Sequence, residues 1–166
     1  MQGFQNQLDQ YEITGSLSED SANPVYLAKH RITQQKVAIK VIPQEKYSRL
    51  RKENGVSEAQ AMESCQKSQH ITKLIEEIRQ DDKTFLVTKF VKNGDLLNFL
   101  ETKGLEKLPE SETRELISQI AAGLKEIHSQ GLVHMDIKHL NILINESDDK
   151  VSAQITDFGM AIKIND

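Results

Sequence analysis

The sequence has very little cysteine, no long apolar run and no excess of positive charge. Cys65 is the single cysteine, so no internal disulfide can form and a reducing compartment is expected. No apolar run approaches the ~18 residues that a membrane-spanning helix needs. The net charge of −4 gives no electrostatic indication of nucleic-acid binding. We therefore expect a cytoplasmic protein that binds neither nucleic acid nor membrane.

The N-terminal segment also lacks a targeting signal. MQGFQNQLDQ has no basic start followed by an apolar core, so it does not have the pattern of a secretory signal peptide. Gln2 stands where N-myristoylation needs glycine. Both observations predict a soluble chain that stays inside the cell.

The first half of the chain predicts mainly strands. Frequent β-branched and aromatic residues predict strands over 11–17, 24–30 and 36–42. A charged helix is expected over 46–66, with Gly55 either splitting it or marking its effective start. A hairpin is then expected, with arms at 73–79 and 83–90 and two aspartates at its tip.

Beyond residue 92 the pattern becomes helical. Asp95 is predicted to cap a short helix, and the clearest helix is predicted over 111–130, capped by Ser111 and ended by Gly131. Short strands are expected over 142–145 and 151–156. The apolar stripe of the long helix consists of Leu116, Ile117, Ile120, Ala121, Leu124 and Ile127. The change in character predicts two lobes, residues 1–92 and 93–166, joined near residues 91–94.

Three short motifs carry candidate chemistry: VAIK at 37–40, HMDIKHLN at 134–141 and DFG at 157–159. Alone, VAIK fits an exposed lysine on a strand and DFG fits a simple turn. HMDIKHLN is more specific, because it places several polar groups among aliphatic residues that are expected to be buried and to hold the loop rigid. Those aliphatic residues are Val133, Ile137, Leu140 and Ile142.

In this order and spacing the three motifs resemble the protein kinase family. The resemblance covers almost the whole chain. It implies an α+β, two-lobe fold with a complete N-lobe, made of an antiparallel sheet and one helix. It also implies only the first part of the helical C-lobe. The lysine of HMDIK favours the serine/threonine branch over the tyrosine branch, and it argues against a small-molecule kinase.

The resemblance implies a role for each motif residue, with ATP and Mg²⁺ as ligands. Phosphoryl transfer needs charge neutralisation, a positioned metal and an oriented hydroxyl. Lys40 would bind the α- and β-phosphates, and Lys138 would contact the γ-phosphate. Asp136 would accept the proton of the substrate hydroxyl. Asn141 and Asp157 would hold Mg²⁺ through the oxygen ligands that this ion prefers.

Further positions follow by matching along the chain. Glu58 would pair with Lys40, because Met62 falls one turn later, where the family places an apolar packing residue. Glu53 and Glu63 are the alternatives for this pair. The adenine site would take Val25, Ala38 and Leu143 around the base, Thr88 at the back of the pocket, Lys89 to Val91 at the hinge and Asp95 at the ribose.

The sequence departs from the family pattern in three places. The glycine positions of the phosphate-covering loop hold Ser18, Asp20 and Asn23, although glycine lets backbone approach phosphate closely. Met135 replaces the arginine that usually precedes the catalytic aspartate, which argues against switching by a phosphorylated activation loop. The chain stops at Asp166, before the A-P-E segment and the remaining helices of a kinase.

Two functions stay open at this point. The first is an ATP-dependent serine/threonine protein kinase, or a fragment of one, which transfers the γ-phosphate to a protein hydroxyl. The second is a non-catalytic, pseudokinase-like module that binds a partner kinase. The long helix has more apolar surface than the rest of the chain can cover, which predicts self-association or binding of another protein. A metal site of His128, His134, Asp136 and His139 is the least consistent alternative, because the kinase order explains three of the four.

Overall fold

The computed structural model describes residues 7–18, 22–147 and 150–164. The chain divides into two compact units. The first contains the described residues of Met1–Arg49 and Leu74–Phe90, and the second those of Leu50–Lys73 and Val91–Asp166. The segment 50–73 is thus grouped with the second unit. The lobe boundary after residue 92 stays a prediction.

An antiparallel sheet forms the first unit. Its strands are β1 (Tyr11–Ser16), β2 (Val25–His30), β3 (Lys36–Pro43), β4 (Leu74–Gln80) and β5 (Lys83–Lys89). They lie in the order β1-β2-β3-β5-β4, and a 3-10 helix over Gln7–Gln10 precedes them. The three strands and the hairpin predicted from the sequence are confirmed.

Turn chemistry explains the position of the β4–β5 turn. Asp81 and Asp82 have φ angles of 50° and 57°, and aspartate tolerates this left-handed region better than most residues. A tight turn of this kind matches the right-handed twist of β4 and β5. The tip of the hairpin therefore lies where the sequence predicted it.

One face of the sheet carries the core of the first unit. Val37 and Ile39 are 1% and 2% exposed and belong to a cluster with Ala28, Val87 and Phe85. Because successive side chains of a strand point to opposite faces, the alternate residues of β3 lie on the face away from that cluster. Ala38 and Lys40 are those residues.

The predicted helix over 46–66 is divided in two. Helix α1 runs over Gln44–Asn54 and helix α2 over Glu58–Ser64. Gly55 lies between them with φ +71°, a conformation that glycine adopts without steric penalty. Ser57 then begins α2 with a capping box, in which the side chain of Ser57 accepts from the backbone of Gln60. The prediction that Gly55 splits the helix is confirmed.

Two further helices belong to the second unit, α3 (Leu96–Thr102) and α4 (Glu110–Ser129). The Asp95 carboxylate accepts from the backbone of Asn98 at 2.9 Å, which confirms the predicted cap of α3. Ser111 does not cap α4, so that prediction is wrong. The helix begins one residue earlier, after Pro109, whose fixed φ leads into a first turn with Glu110 and Glu112.

Two short antiparallel pairs complete the second unit. Strand β6 (Leu132–Val133) pairs with β9 (Ile162–Lys163), and β7 (Ile142–Ser147) pairs with β8 (Lys150–Ile155). The first pair encloses the segment that contains HMDIKHLN and DFG. The tight fit of α4 on this unit depends on Gly123, where an added Cβ would lie 2.9 Å from Ile155 Cδ1 and 3.0 Å from the His70 carbonyl oxygen.

The apolar stripe of α4 is only partly covered. Leu116 and Ile127 are 3% and 0% exposed, whereas Ile117 is 61% exposed. Ala121 is exposed as well. Among the helices of the described residues, none combines the length and apolarity that a bilayer span requires.

Candidate active site

The segment 134–141 begins where β6 ends and leads through a 3-10 turn over His139–Asn141 into β7. Met135 adopts φ +66°, which is uncommon for a residue with a side chain. The expectation that the aliphatic residues of this loop are buried is confirmed for Ile142 but is wrong for Ile137 and Leu140. The latter two are 43% and 46% exposed.

His134 is a buried structural residue of this loop. Its Nδ1 accepts from the Asp136 backbone N–H at 3.3 Å, so Nε2 carries the proton and donates to the Thr156 carbonyl oxygen at 3.0 Å. Its ring meets the Phe158 ring edge to face, with centroids 4.9 Å apart. Burial lowers the pKa of His134 from its ordinary value, against opposing effects of the Thr156 carbonyl and the charges of Asp157 and Asp136. The neutral imidazole therefore ties the HMD and DFG segments together.

Three of the predicted site residues meet at one carboxylate. Asp136 Oδ2 accepts from Lys138 Nζ at 2.8 Å and from Asn141 Nδ2 at 2.9 Å. Asn141 Nδ2 also donates to the Asp136 carbonyl oxygen at 2.9 Å. The bond to Asp136 is the largest effect on Lys138 and raises the pKa of its ammonium. The two donors thus hold the Asp136 carboxylate in one orientation.

Asn141 and Asp157 are suited to a hard cation. The hydrogen bonds of Asn141 engage its amide nitrogen, so its carbonyl oxygen Oδ1 is the atom that it can offer a metal. Asp157 has φ +61°, and its Oδ1 accepts from the Gly159 N–H at 3.2 Å. Together these two oxygen donors fit Mg²⁺, which takes few protein ligands and completes its shell with water and phosphate oxygens.

A protein-only metal cluster does not form in the part of the chain that the structure describes. No group of three or more His, Cys, Asp or Glu residues there is arranged to hold an ion. The alternative site of His128, His134, Asp136 and His139 is therefore not assembled. A metal at Asn141 and Asp157 would depend on ligands that come with a nucleotide.

The first unit brings four predicted nucleotide residues onto one face of its sheet. Val25 is the register partner of Lys40, and Ala38 is the partner of Thr88. The Thr88 hydroxyl donates to the Ala38 carbonyl oxygen at 3.4 Å. This is the face opposite the buried cluster. Lys89 projects to the other face as the partner of Val37.

The second unit holds the rest of the predicted adenine site. Asp95 forms an isolated antiparallel bridge with Leu143, and Val91 is 7% exposed. One carboxylate oxygen of Asp95 is used as the α3 cap, so the other oxygen is the one that can reach a ribose hydroxyl. The hinge, ribose and base roles of these residues stay predictions.

The three candidates for the predicted glutamate partner of Lys40 differ in how exposed their side chains are. Glu58 is 8% exposed in the first turn of α2, whereas Glu53 and Glu63 are both exposed. Met62, one turn after Glu58, is 2% exposed, as expected for a packing residue. Burial of a carboxylate is costly without a partner, so Glu58 remains the favoured candidate. The pair itself stays a prediction.

The predicted phosphate-covering loop makes a contact that the sequence did not indicate. Of the three glycine positions, Ser18 and Asn23 are described, and Asp20 lies outside the described residues. Lys46 Nζ, from α1, donates to Asn23 Oδ1 at 2.8 Å. No motif marks Lys46, because it follows β3 in a helix whose charged residues look alike in the sequence.

Comparison with known proteins agrees with this geometry. The protein kinase domain family matches residues 11–166. The carbon catabolite-derepressing protein kinase of Candida albicans is 31% identical over 156 residues, which cover 94% of this chain and 24% of that protein. Serine/threonine-protein kinase SIK2 of Gallus gallus is 34% identical over 149 residues, which cover 90% and 18%. Serine/threonine-protein kinase ATG1c of Arabidopsis thaliana is 28% identical over 91% of this chain and 20% of that protein. The chain spans about a quarter or less of the length of these relatives.

Proposed function

The chain belongs to the protein kinase family, and from this premise we propose that it binds Mg-ATP and transfers the γ-phosphate to a serine or threonine hydroxyl of a protein. The observation that carries the proposal is the Asp136 carboxylate, which accepts from both Lys138 and Asn141. This arrangement orients the candidate base beside the Lys138 ammonium and beside a candidate metal ligand.

The chemistry follows from that arrangement. The hydroxyl oxygen of the substrate attacks the γ-phosphorus, the bond from that phosphorus to the β–γ bridging oxygen breaks, and ADP leaves. Asp136 accepts the hydroxyl proton. Bound Mg²⁺, held by Asn141 and Asp157, would neutralise charge on the phosphates.

Lys138 can serve both the base and the phosphate. An ammonium group has three donors, and the bond to Asp136 uses one of them. Its remaining donors are available to γ-phosphate oxygens, and its side chain is 45% exposed. We infer that Lys138 links the proton acceptor to the transferred group.

Replacing Asp136 by asparagine tests this function directly. Loss of the proton acceptor should lower the rate of phosphate transfer from labelled ATP to a serine-rich protein by about 10²–10⁴-fold, with Mg-ATP affinity changed only slightly. Glu112→Gln, an equal charge change at an exposed position of α4, is the matched control. Transfer at the wild-type rate by the Asp136→Asn protein would contradict the proposal.

The exposed side of α4 supports a second candidate, a module that binds protein through this face. Ile117 is 61% exposed, and Ala121 lies exposed one turn away. A second copy of the chain could cover both, and burying an Ile side chain contributes about 1.5–3 kcal/mol. We propose self-association through this face.

Light scattering over a concentration series tests the self-association. Ile117→Lys should lower the average mass at high concentration, because a charge replaces the central apolar contact. Ser118→Lys adds the same charge at the neighbouring exposed position and should have a smaller effect. A wild-type protein that stays at its 18.8 kDa chain mass throughout would exclude this face as a self-association site.

A further inference from the structure

One hydrogen bond connects the start of β2 with α1. Lys46 Nζ donates to Asn23 Oδ1 at 2.8 Å, and both side chains are half-buried. A bond of this kind has a charged donor, which makes it stronger than a bond between neutral groups. It joins two segments that are far apart in the sequence but belong to one compact unit.

The register of the sheet places Asn23 two residues before the strand partner of Lys40. Val25 is the partner of Lys40, and the Val41 N–H donates to the Pro24 carbonyl oxygen at 3.0 Å. Asn23 therefore lies just beyond the paired end of β2, at the described end of the β1–β2 connection. Strand β3 ends at Pro43, and Lys46 lies in the first turn of the helix that follows.

We propose that Lys46 is a positioning residue for the nucleotide phosphates. Through Asn23 it fixes the end of the β1–β2 connection, at a position where the family has glycine. Asparagine restricts the backbone more than glycine does, and its side chain gives α1 a point of attachment that glycine lacks. The inference rests on the proposed function, since it concerns the same nucleotide site.

The role predicts an effect that depends on phosphate. The β1–β2 connection of the family covers the phosphates, so loss of the tether should weaken binding of Mg-ATP and leave adenosine binding nearly unchanged. If the bond had only a structural role, its loss would weaken the binding of both ligands equally, or would change only the unfolding temperature. The ratio of the two dissociation constants separates these cases.

Calorimetric titration of the Lys46→Met protein with Mg-ATP and with adenosine is the test. Mg-ATP should bind about fivefold more weakly than to wild type, as expected for a partly solvated charged hydrogen bond, while adenosine changes less than about twofold. Lys46→Arg, which keeps a charged donor, should restore most of the loss. Lys52→Met, at an exposed position of the same helix, should change neither ligand.

A double-mutant cycle with Asn23→Ala provides the second measurement. If the two side chains act through each other, the combined variant should bind Mg-ATP no more weakly than Lys46→Met alone. Additive losses, or equal losses for both ligands, would overturn the positioning role. Failure of the wild-type chain to bind Mg-ATP at all would instead contradict the proposed function, and the phosphate role with it.

Discussion

An Asp157→Asn protein should lose most of the stabilisation that Mg-ATP gives to the wild type. A ligand at a hundred times its dissociation constant stabilises the native state by about 2.7 kcal/mol, and this gain falls as affinity falls. Asparagine removes the one charged oxygen ligand of the predicted metal pair, and the neutral Asn141 remains. The shift of the melting temperature with Mg-ATP measures the loss.

The substitution leaves the local backbone intact. Asparagine can still accept from the Gly159 N–H, and it tolerates the φ of +61° that Asp157 adopts. Asp82→Asn is the matched control, because Asp82 is an exposed turn residue with φ +57°. An unchanged magnesium-dependent shift in the Asp157→Asn protein would contradict the assigned metal role.

Local chemistry made much of the fold predictable. The two aspartates at the β4–β5 tip and the Asp95 cap each have one dominant backbone preference, so both were predicted directly. Gly55 left two possibilities open, and the structure shows that it splits the helix. The start of α4 was harder to predict. Ser111 is a good capping residue, but it lies one position inside the helix, which begins directly after Pro109. Strands β6 and β9 each have two residues, too few for any periodicity to appear.

The sequence predicted which residues form the candidate site better than it predicted the hydrogen bonds between them. The order of the motifs selected Asp136, Lys138 and Asn141, and the structure brings these three together. Which atoms they share depends on side-chain rotamers, which no spacing in the sequence encodes. The same reason explains why the bond from Lys46 to Asn23 was missed.

Phe158→Ala should be among the most destabilising single substitutions in the second unit. Phe158 is 1% exposed, and removal of a buried phenylalanine side chain commonly costs about 3–5 kcal/mol. Loss of the edge-to-face contact with His134 adds to this cost. Since domains are usually stable by only about 5–15 kcal/mol, urea denaturation should show a much lower midpoint.

Phe90→Ala is the control. Phe90 is only half-buried in the other unit, so its removal should lower the stability less. Equal losses for the two variants would contradict a special role for Phe158. Phe158→Leu should recover part of the stability, because leucine refills much of the cavity.

The packing of Phe158 also affects His134. A smaller side chain at position 158 lets water approach the His134 ring, which weakens the burial that lowers the pKa of His134. His134 accepts from the Asp136 backbone N–H, so the packing of Phe158 supports the same loop that orients the proposed proton acceptor.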